Sequence, residues 1–189
     1  MSEVYFTSDT HFYHNKEFLY TPRGCTCIEE MNELVIENWN KTIPNNSLVY
    51  HLGDVLLGDY DVNLLKRLNG QLCIVRGNHD TDRKLSDIFA ARPDTIYVGT
   101  SDIIKIGKLS LFLCHYPVLT ANYDEKHFNQ HVINLHGHTH QRANWLFPEN
   151  PFIYHVGLDS HNCSPIHIDE IISQIRTQWE KLGRPEILP

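Results

Sequence analysis

The chain reads as an α/β or α+β layered domain with a mixed sheet. Three observations lead there: short apolar runs alternate with stretches of helical periodicity, closely spaced strands follow them, and two of the runs are nearly uninterrupted in their apolar character. The 189 residues suit one compact domain spanning residues 1–189. Hydrophobic residues at 41% supply a core, and charged residues at 21% are too few for global disorder.

Val4 to Phe6, Leu48 to Leu52, Leu72 to Val75, Leu109 to Cys114 and Val132 to Leu135 read as strands. The third and fourth are the near-continuous runs expected of strands covered on both faces. Thr26-x-x-Glu29 reads as a capping box, ahead of Met31, Leu34, Val35 and Trp39 at helical spacing. Leu64, Leu65 and Leu68 suit a second helix. Thr95 to Ile106, punctuated by Gly99 and Gly107, reads as hairpin strands. Ile171, Ile172, Ile175, Trp179 and Leu182 form the apolar stripe of a last helix, with Asp169 as cap and Gly183 and Pro185 as stop. That stripe is core packing.

A net charge of -7 argues against a surface built to hold nucleic acid. No apolar run approaches a membrane span, and Met1-Ser2-Glu3 followed by Val4-Tyr5-Phe6 is no signal peptide, so a soluble cytoplasmic protein without a membrane partner is expected. Cys25-Thr26-Cys27 lacks the spacing of a zinc knuckle or redox motif, and Cys73 and Cys114 sit in apolar runs. With Cys163, all five read as reduced thiols without a role. Nothing specifies an oligomeric state.

Some of the chain's 13 histidines carry the chemistry, because they fall beside Asp and Gly just after the strands. The first strand is followed by Asp9 and His11, the second by Gly53-Asp54, and the third by Gly77-Asn78-His79-Asp80. The fourth is followed by His115 and the last by Gly137-His138-Thr139-His140. Loops at strand ends are where a rigid scaffold displays a site. Residues two apart in an extended segment share a side, so Asp9 pairs with His11 and His138 with His140. Gly77 and Gly137 read as sharp backbone turns ahead of their ligands. Histidine with carboxylate suits Zn, Mn, Fe, Co or Ni, with Mn the first choice. One ion needs three or four groups; Asp9, His11, Asp54, Asn78, His115, His138 and His140 suffice for two, about 3.5–4 Å apart.

These motifs, in this order, resemble the calcineurin-like metallophosphoesterases. Ser8-Asp9-Thr10-His11-Phe12-x-His14-Asn15 and Leu135-His136-Gly137-His138-Thr139-His140 are similar to small single-domain members from bacteria and phages, as is Val156-Gly157-Leu158-Asp159. The resemblance implies two mixed β-sheets forming a sandwich flanked by helices. It implies that Asp9, His11, Asp54 and His140 hold one divalent ion, that Asp54, Asn78, His115 and His138 hold the other, and that His79 faces the substrate. The expected activity is hydrolysis of a small phosphomonoester or phosphodiester by in-line attack of a metal-bridging hydroxide. Two ions less two carboxylates and a hydroxide leave about one positive charge to attract the ester anion.

His79 is then the group that stabilises the transition state or protonates the leaving oxygen, and Asp54 the bridging carboxylate. Phosphoprotein phosphatases carry an Asp three positions after the bridging Asp to partner this His; here that position is Leu57, which argues against a protein phosphatase and leaves His79 without an assigned partner. His14 stands between a substrate contact and a surface residue, while His51 and His136 suit hydrogen bonds behind the ligands. His127, His131, His155, His161 and His167 read as surface or core. Arg23, Arg76 and Arg142 are candidate phosphate contacts. A nuclease with the same site is the alternative, if Lys16, Arg23, Arg83, Lys84, Lys126 and Arg142 gather around it. A non-catalytic binding scaffold conflicts with a complete ligand set.

Overall fold

A computed structural model of the chain describes residues 3–183; Pro185, read as a stop for the last helix, lies outside them. The elements in chain order are β1 (Val4–Thr7), α1 (Glu17–Tyr20), α2 (Ile28–Thr42), β2 (Leu48–His51), β3 (Gln71–Val75), α3 (Asp82–Ala91), β4 (Ile96–Gly99), β5 (Ser101–Ile106), β6 (Leu109–Cys114), β7 (Val132–His136), β8 (Ile153–His155), β9 (Ile166–His167) and α4 (Ile168–Lys181). One sheet runs β4-β3-β2-β1-β9 and the other β5-β6-β7-β8. In the first, β1 to β4 pair in parallel and β9 is antiparallel. In the second, β6, β7 and β8 are parallel and β5 is antiparallel. Both sheets are mixed, as the resemblance implied.

The period of two along each strand sorts the core. Tyr5, Val49 and Leu72 lie in register and, with Ile74, face Val35, Ile36 and Trp39 of α2 and Leu85 and Ile88 of α3. Phe6, Leu52 and Val75 face the other way, into Leu109, Leu111, Leu113, Ile133, Leu135 and Tyr154 around the second sheet. Ile168, Ile171, Ile175 and Trp179 of α4 join that second cluster. Fully burying one such side chain stabilises the fold by about 1.5–3 kcal/mol. No helix among the described residues is long and apolar enough to cross a membrane.

Several local expectations are corrected. Thr95 to Ile106 is no hairpin: β4 pairs with β3 and β5 with β6, so the chain passes between sheets at Gly99, and the hairpin turn is at Gly107. β6 is buried only on alternate residues, Leu109, Leu111 and Leu113, and is not fully covered on both faces. The capping contact at α2 comes from Glu30, whose carboxylate accepts from the Thr26 N–H and hydroxyl at 2.7 and 2.8 Å, and not from Glu29. Val62–Arg67 is a 3-10 turn, too short in apolar period for an α-helix. The α4 cap is His167, accepting from the Asp169 N–H, not Asp169. α1, α3, β8 and β9 are additions that carry too few apolar positions to read from pattern.

The parallel strands β1, β2 and β3 end at one edge of their sheet, and β6 and β7 end together in the other. Every loop read as ligand-bearing therefore leaves the C-terminal end of a strand, where open sheets hold their ligands.

Candidate metal centre

The seven side chains converge, but not through extended backbone. Asp9, His11, Asp54, His138 and His140 all take positive φ, between 48° and 69°. Such a conformation costs a non-glycine residue about 1–3 kcal/mol and persists only where its surroundings enforce it. Here the enforcement comes from cross-loop hydrogen bonds: the Asp9 N–H donates to the Gly53 carbonyl (3.0 Å) and the His11 N–H to the Asp54 carbonyl (3.1 Å). Gly77 and Gly137 do not have positive φ, so they are not the turns expected of them. Their role is close approach: a Cβ on Gly77 would lie 2.3 Å from Asp54 Oδ1, and one on Gly137 2.3 Å from Asp9 Oδ2.

Two groups of ligand atoms result, sharing one oxygen. Around the first, His11 Nε2 lies 3.7 Å from Asp9 Oδ1, 3.6 Å from Asp54 Oδ2 and 3.1 Å from His140 Nε2. His140 Nε2 is 3.8 Å from Asp9 Oδ1. Around the second, His115 Nε2 lies 3.5 Å from Asp54 Oδ2 and 2.9 Å from Asn78 Oδ1, and His138 Nδ1 is 3.0 Å from that amide oxygen. Asp9, His11 and His140 can offer atoms to one point, as can Asp9, Asp54 and His115.

Each carboxylate spends one oxygen on the scaffold. Asp9 Oδ2 accepts from the His138 N–H (2.9 Å) and the Ser8 hydroxyl (2.6 Å), while Oδ1 is buried with no hydrogen-bond partner. Asp54 Oδ1 accepts from the His79 N–H (2.8 Å), leaving Oδ2 between the two groups. The histidines are oriented likewise. His115 Nδ1 donates to the Leu52 carbonyl (2.7 Å), and His140 Nδ1 to Asp159 (2.8 Å). In the neutral rings, Nε2 is then a lone pair aimed at other acceptors. A buried orphan carboxylate oxygen and facing lone pairs are costly without a cation, so the donor set fits bound metal.

The electrostatics agree. Burial pushes the Asp9 carboxyl up, but the close approach of His11, then His115 and His140, holds it well below the usual range. Burial acts likewise on Asp54, and the His115 and His79 contacts hold it down. His115 is raised because Asp54 and Asp9 outweigh its burial, and His140 because Asp159 and Asp9 do. These are carboxylates and imidazoles that compete for positive charge.

The scaffold behind the ligands includes residues whose role the sequence did not reveal. Asp80 does not partner His79: its carboxylate accepts from the N–H groups of Asp54 (2.7 Å), Val55 (3.1 Å) and Gly77 (2.8 Å). Asp159 lies on a 3-10 turn after β8 and holds both His140 and Arg23. Arg23 is no phosphate contact, being buried among Asp159 and the carbonyls of Asp9 and Thr10. The signal for Asp159 was its place in Val156-Gly157-Leu158-Asp159, which by itself names no function. His51 bonds the Thr10 hydroxyl (3.0 Å) and His136 the Gly137 carbonyl (2.9 Å), so each holds a residue next to a candidate ligand in the chain and, among the described residues, neither bonds a ligand side chain. His155, one of those read as surface or core, is buried.

His79 stands half-exposed at the mouth, with Nε2 4.0 Å from Asp54 Oδ2. The His14 ring packs 5.4 Å from that of His11, and burial, then His11 and His79, push it down to about 4. Arg76 pairs with Asp82 (2.7 Å), and Arg142 donates to the Pro22 carbonyl (3.0 Å). Lys84 Nζ is tied to the carbonyls of Leu56 and His79, both at 2.8 Å.

A model of the calcineurin-like phosphoesterase superfamily domain matches residues 3–145. An uncharacterized protein of Methanocaldococcus jannaschii is 32% identical over 187 residues, covering 93% of this chain and 92% of that one. The gene 66 protein of Mycobacterium phage D29 is 28% identical over 200 residues, with 93% and 98% covered. Among solved structures, a protein of unknown function from Aquifex aeolicus is similar with a TM-score of 0.68 and 25% identity, over 92% of this chain and 100% of that one. A family match across some three-quarters of the sequence, over the same loops that build this cluster, means that the chain belongs to the calcineurin-like phosphoesterase superfamily.

Proposed function

We propose that the protein is a dinuclear metal-dependent phosphoesterase acting on a small phosphomonoester or phosphodiester. The observation that carries this reading is Asp54 Oδ2, within 3.6 Å of His11 Nε2 and 3.5 Å of His115 Nε2, so that one oxygen serves two ligand groups. Asp9, His11, Asp54 and His140 would hold one ion, and Asp54, Asn78, His115 and His138 the other. Divalent ions bound there supply positive charge for the ester anion and acidify water so that hydroxide is at hand near neutral pH. Imidazole and oxygen donors without thiolate suit Mn, Fe, Zn, Co or Ni, and manganese is our first choice among them.

The chain's own residues do the rest. His79, half-exposed beside Asp54, faces the leaving oxygen and supplies its proton. Asp54 orients His79 through the backbone N–H as well as bridging the two groups. The cations considered for a polymer track are partly spent, with Arg23 buried and Lys84 tied to two carbonyls, which favours a small ester over nucleic acid. The five cysteines are free, as suits the reducing cytoplasm in which we place the activity.

The test is turnover of a chromogenic phosphodiester and a phosphomonoester by protein stripped of metal and then supplied with Mn²⁺. Hydrolysis should require the metal, fall to background in Asp54→Asn, and drop about 10²–10⁴-fold in His79→Ala, the range of a lost general acid. Unchanged rates in both variants would point to a contaminant and sink the reading.

A further inference from the structure

Arg23 is an unusual occupant of its position. Its side chain is 1% exposed, on a loop between α1 and α2 that holds none of the seven ligands. Its guanidinium nevertheless touches the first ligand group from behind at several points. Nε donates to Asp159 Oδ1 (2.8 Å) and Nη2 to Asp159 Oδ2 (3.2 Å). Nη2 also donates to the Asp9 carbonyl (2.8 Å), and Nη1 to the Thr10 carbonyl (3.1 Å). Asp159, with its side chain 11% exposed, accepts from His140 Nδ1 at 2.8 Å. One fork thus joins the loop after β1, which carries Asp9 and His11, to the loop after β7, which carries His140.

We propose that Arg23 and Asp159 are a positioning pair specific to the Asp9/His11/His140 half of the centre. Asp159 fixes the His140 tautomer so that Nε2 presents a lone pair inward. Arg23 fixes the place of the Asp159 carboxylate through its paired contacts and pins the left-handed backbone at Asp9, φ 57°, by its carbonyl. The planar fork serves four acceptor oxygens at once, both of the Asp159 carboxylate and two carbonyls, one more than the three donors of an ammonium can reach. His115, which belongs to the other half alone, is oriented by a different group, the Leu52 carbonyl, which does not touch Arg23 in the described contacts. Loss of the pair therefore weakens one ion and spares the other. This inference rests on the two-ion reading above.

The experiment is titration of metal-free protein with Mn²⁺, followed by calorimetry and by electron paramagnetic resonance, in which a neighbouring ion pair is distinguishable from a single ion. The unmodified protein should take up two ions. Asp159→Asn and Arg23→Met should each keep one ion at its original affinity and bind the second about 10–100-fold more weakly, the range for a lost partner of a metal-bound histidine. Arg23→Lys, which keeps the charge and is the variant least disturbing to folding, should recover part of that affinity. Asp159→Asn should add nothing to the loss caused by His140→Ala, since both act on one ligand. Two sites of original affinity in these variants, or equal weakening of both sites in protein that remains folded by circular dichroism, would overturn the pair's assignment. Fewer than two ions in the unmodified protein would instead bring down the two-ion reading, and the assignment with it.

Discussion

Seven side chains meet here because their neighbours leave room, and the room is measured in single atoms. Gly137 has no steric need for a glycine dihedral, yet a Cβ there would sit 2.3 Å from both Asp9 Oδ2 and Ser8 Oγ. Gly137→Ala should force the carboxylate away from the His138 N–H. We expect a loss of about 1–3 kcal/mol in denaturant unfolding of the metal-free protein, the usual scale for overpacking, together with weaker metal uptake. A variant as stable as the parent would show that the loop yields freely. The residues proposed as ligands were legible as residue types shortly after strands. Their geometry was not: the two-apart rule assumed extended chain, whereas five of the seven positions are left-handed. Asp80 was visible as a neighbour of His79, but three backbone N–H groups hold it turned away.

Among the elements, those with a clean apolar period were readable and those without it were not. The stripe on α4 is buried at Ile171 and Ile175, both 0% exposed, as its spacing required. Ile175→Ala should cost about 2–5 kcal/mol by deleting buried methyls from the cluster between the sheets. The exposed Thr177→Ala on the same helix should change stability by less than about 0.5 kcal/mol. Urea unfolding curves separate the two, and equal midpoints would mean that α4 is not held by this stripe. The strands β4 and β5 failed to read as they stand because period-two alternation says nothing about which sheet a strand joins. Their partners, β3 and β6, are chosen by packing between distant segments.

At the scale of the whole molecule, the fold buries histidines that are neutral inside it. Burial pushes His51 down to about 4 and His155 to about 3. The Ser160 hydroxyl donates to the Gly157 carbonyl and so accepts from His155 Nδ1 (2.8 Å), leaving Nε2 unprotonated. Both rings charge near pH 6.5 once unfolded. The unfolded chain therefore binds more protons below that pH, and the stability they contribute is complete above about 6.5 and lost as pH falls toward their folded values. At pH 5 the loss is about 2 kcal/mol for each ring. His115 and His140, which are raised, act in the opposite sense, so the comparison must be differential. Metal-free His155→Asn, which keeps a donor for Ser160, should lose about 2 kcal/mol less than the parent between pH 7 and pH 5 in urea titrations; identical slopes would refute the assignment. The sequence by itself determined five of the strands, the helices α2 and α4 and which residue types gather after those strands, because hydrophobic period and motif order are local properties of the chain. Only the tertiary structure decided that Arg23 and Asp159, 136 positions apart, close behind one half of the centre. A buried charge is recognised by what surrounds it, and those surroundings exist only after the chain has packed.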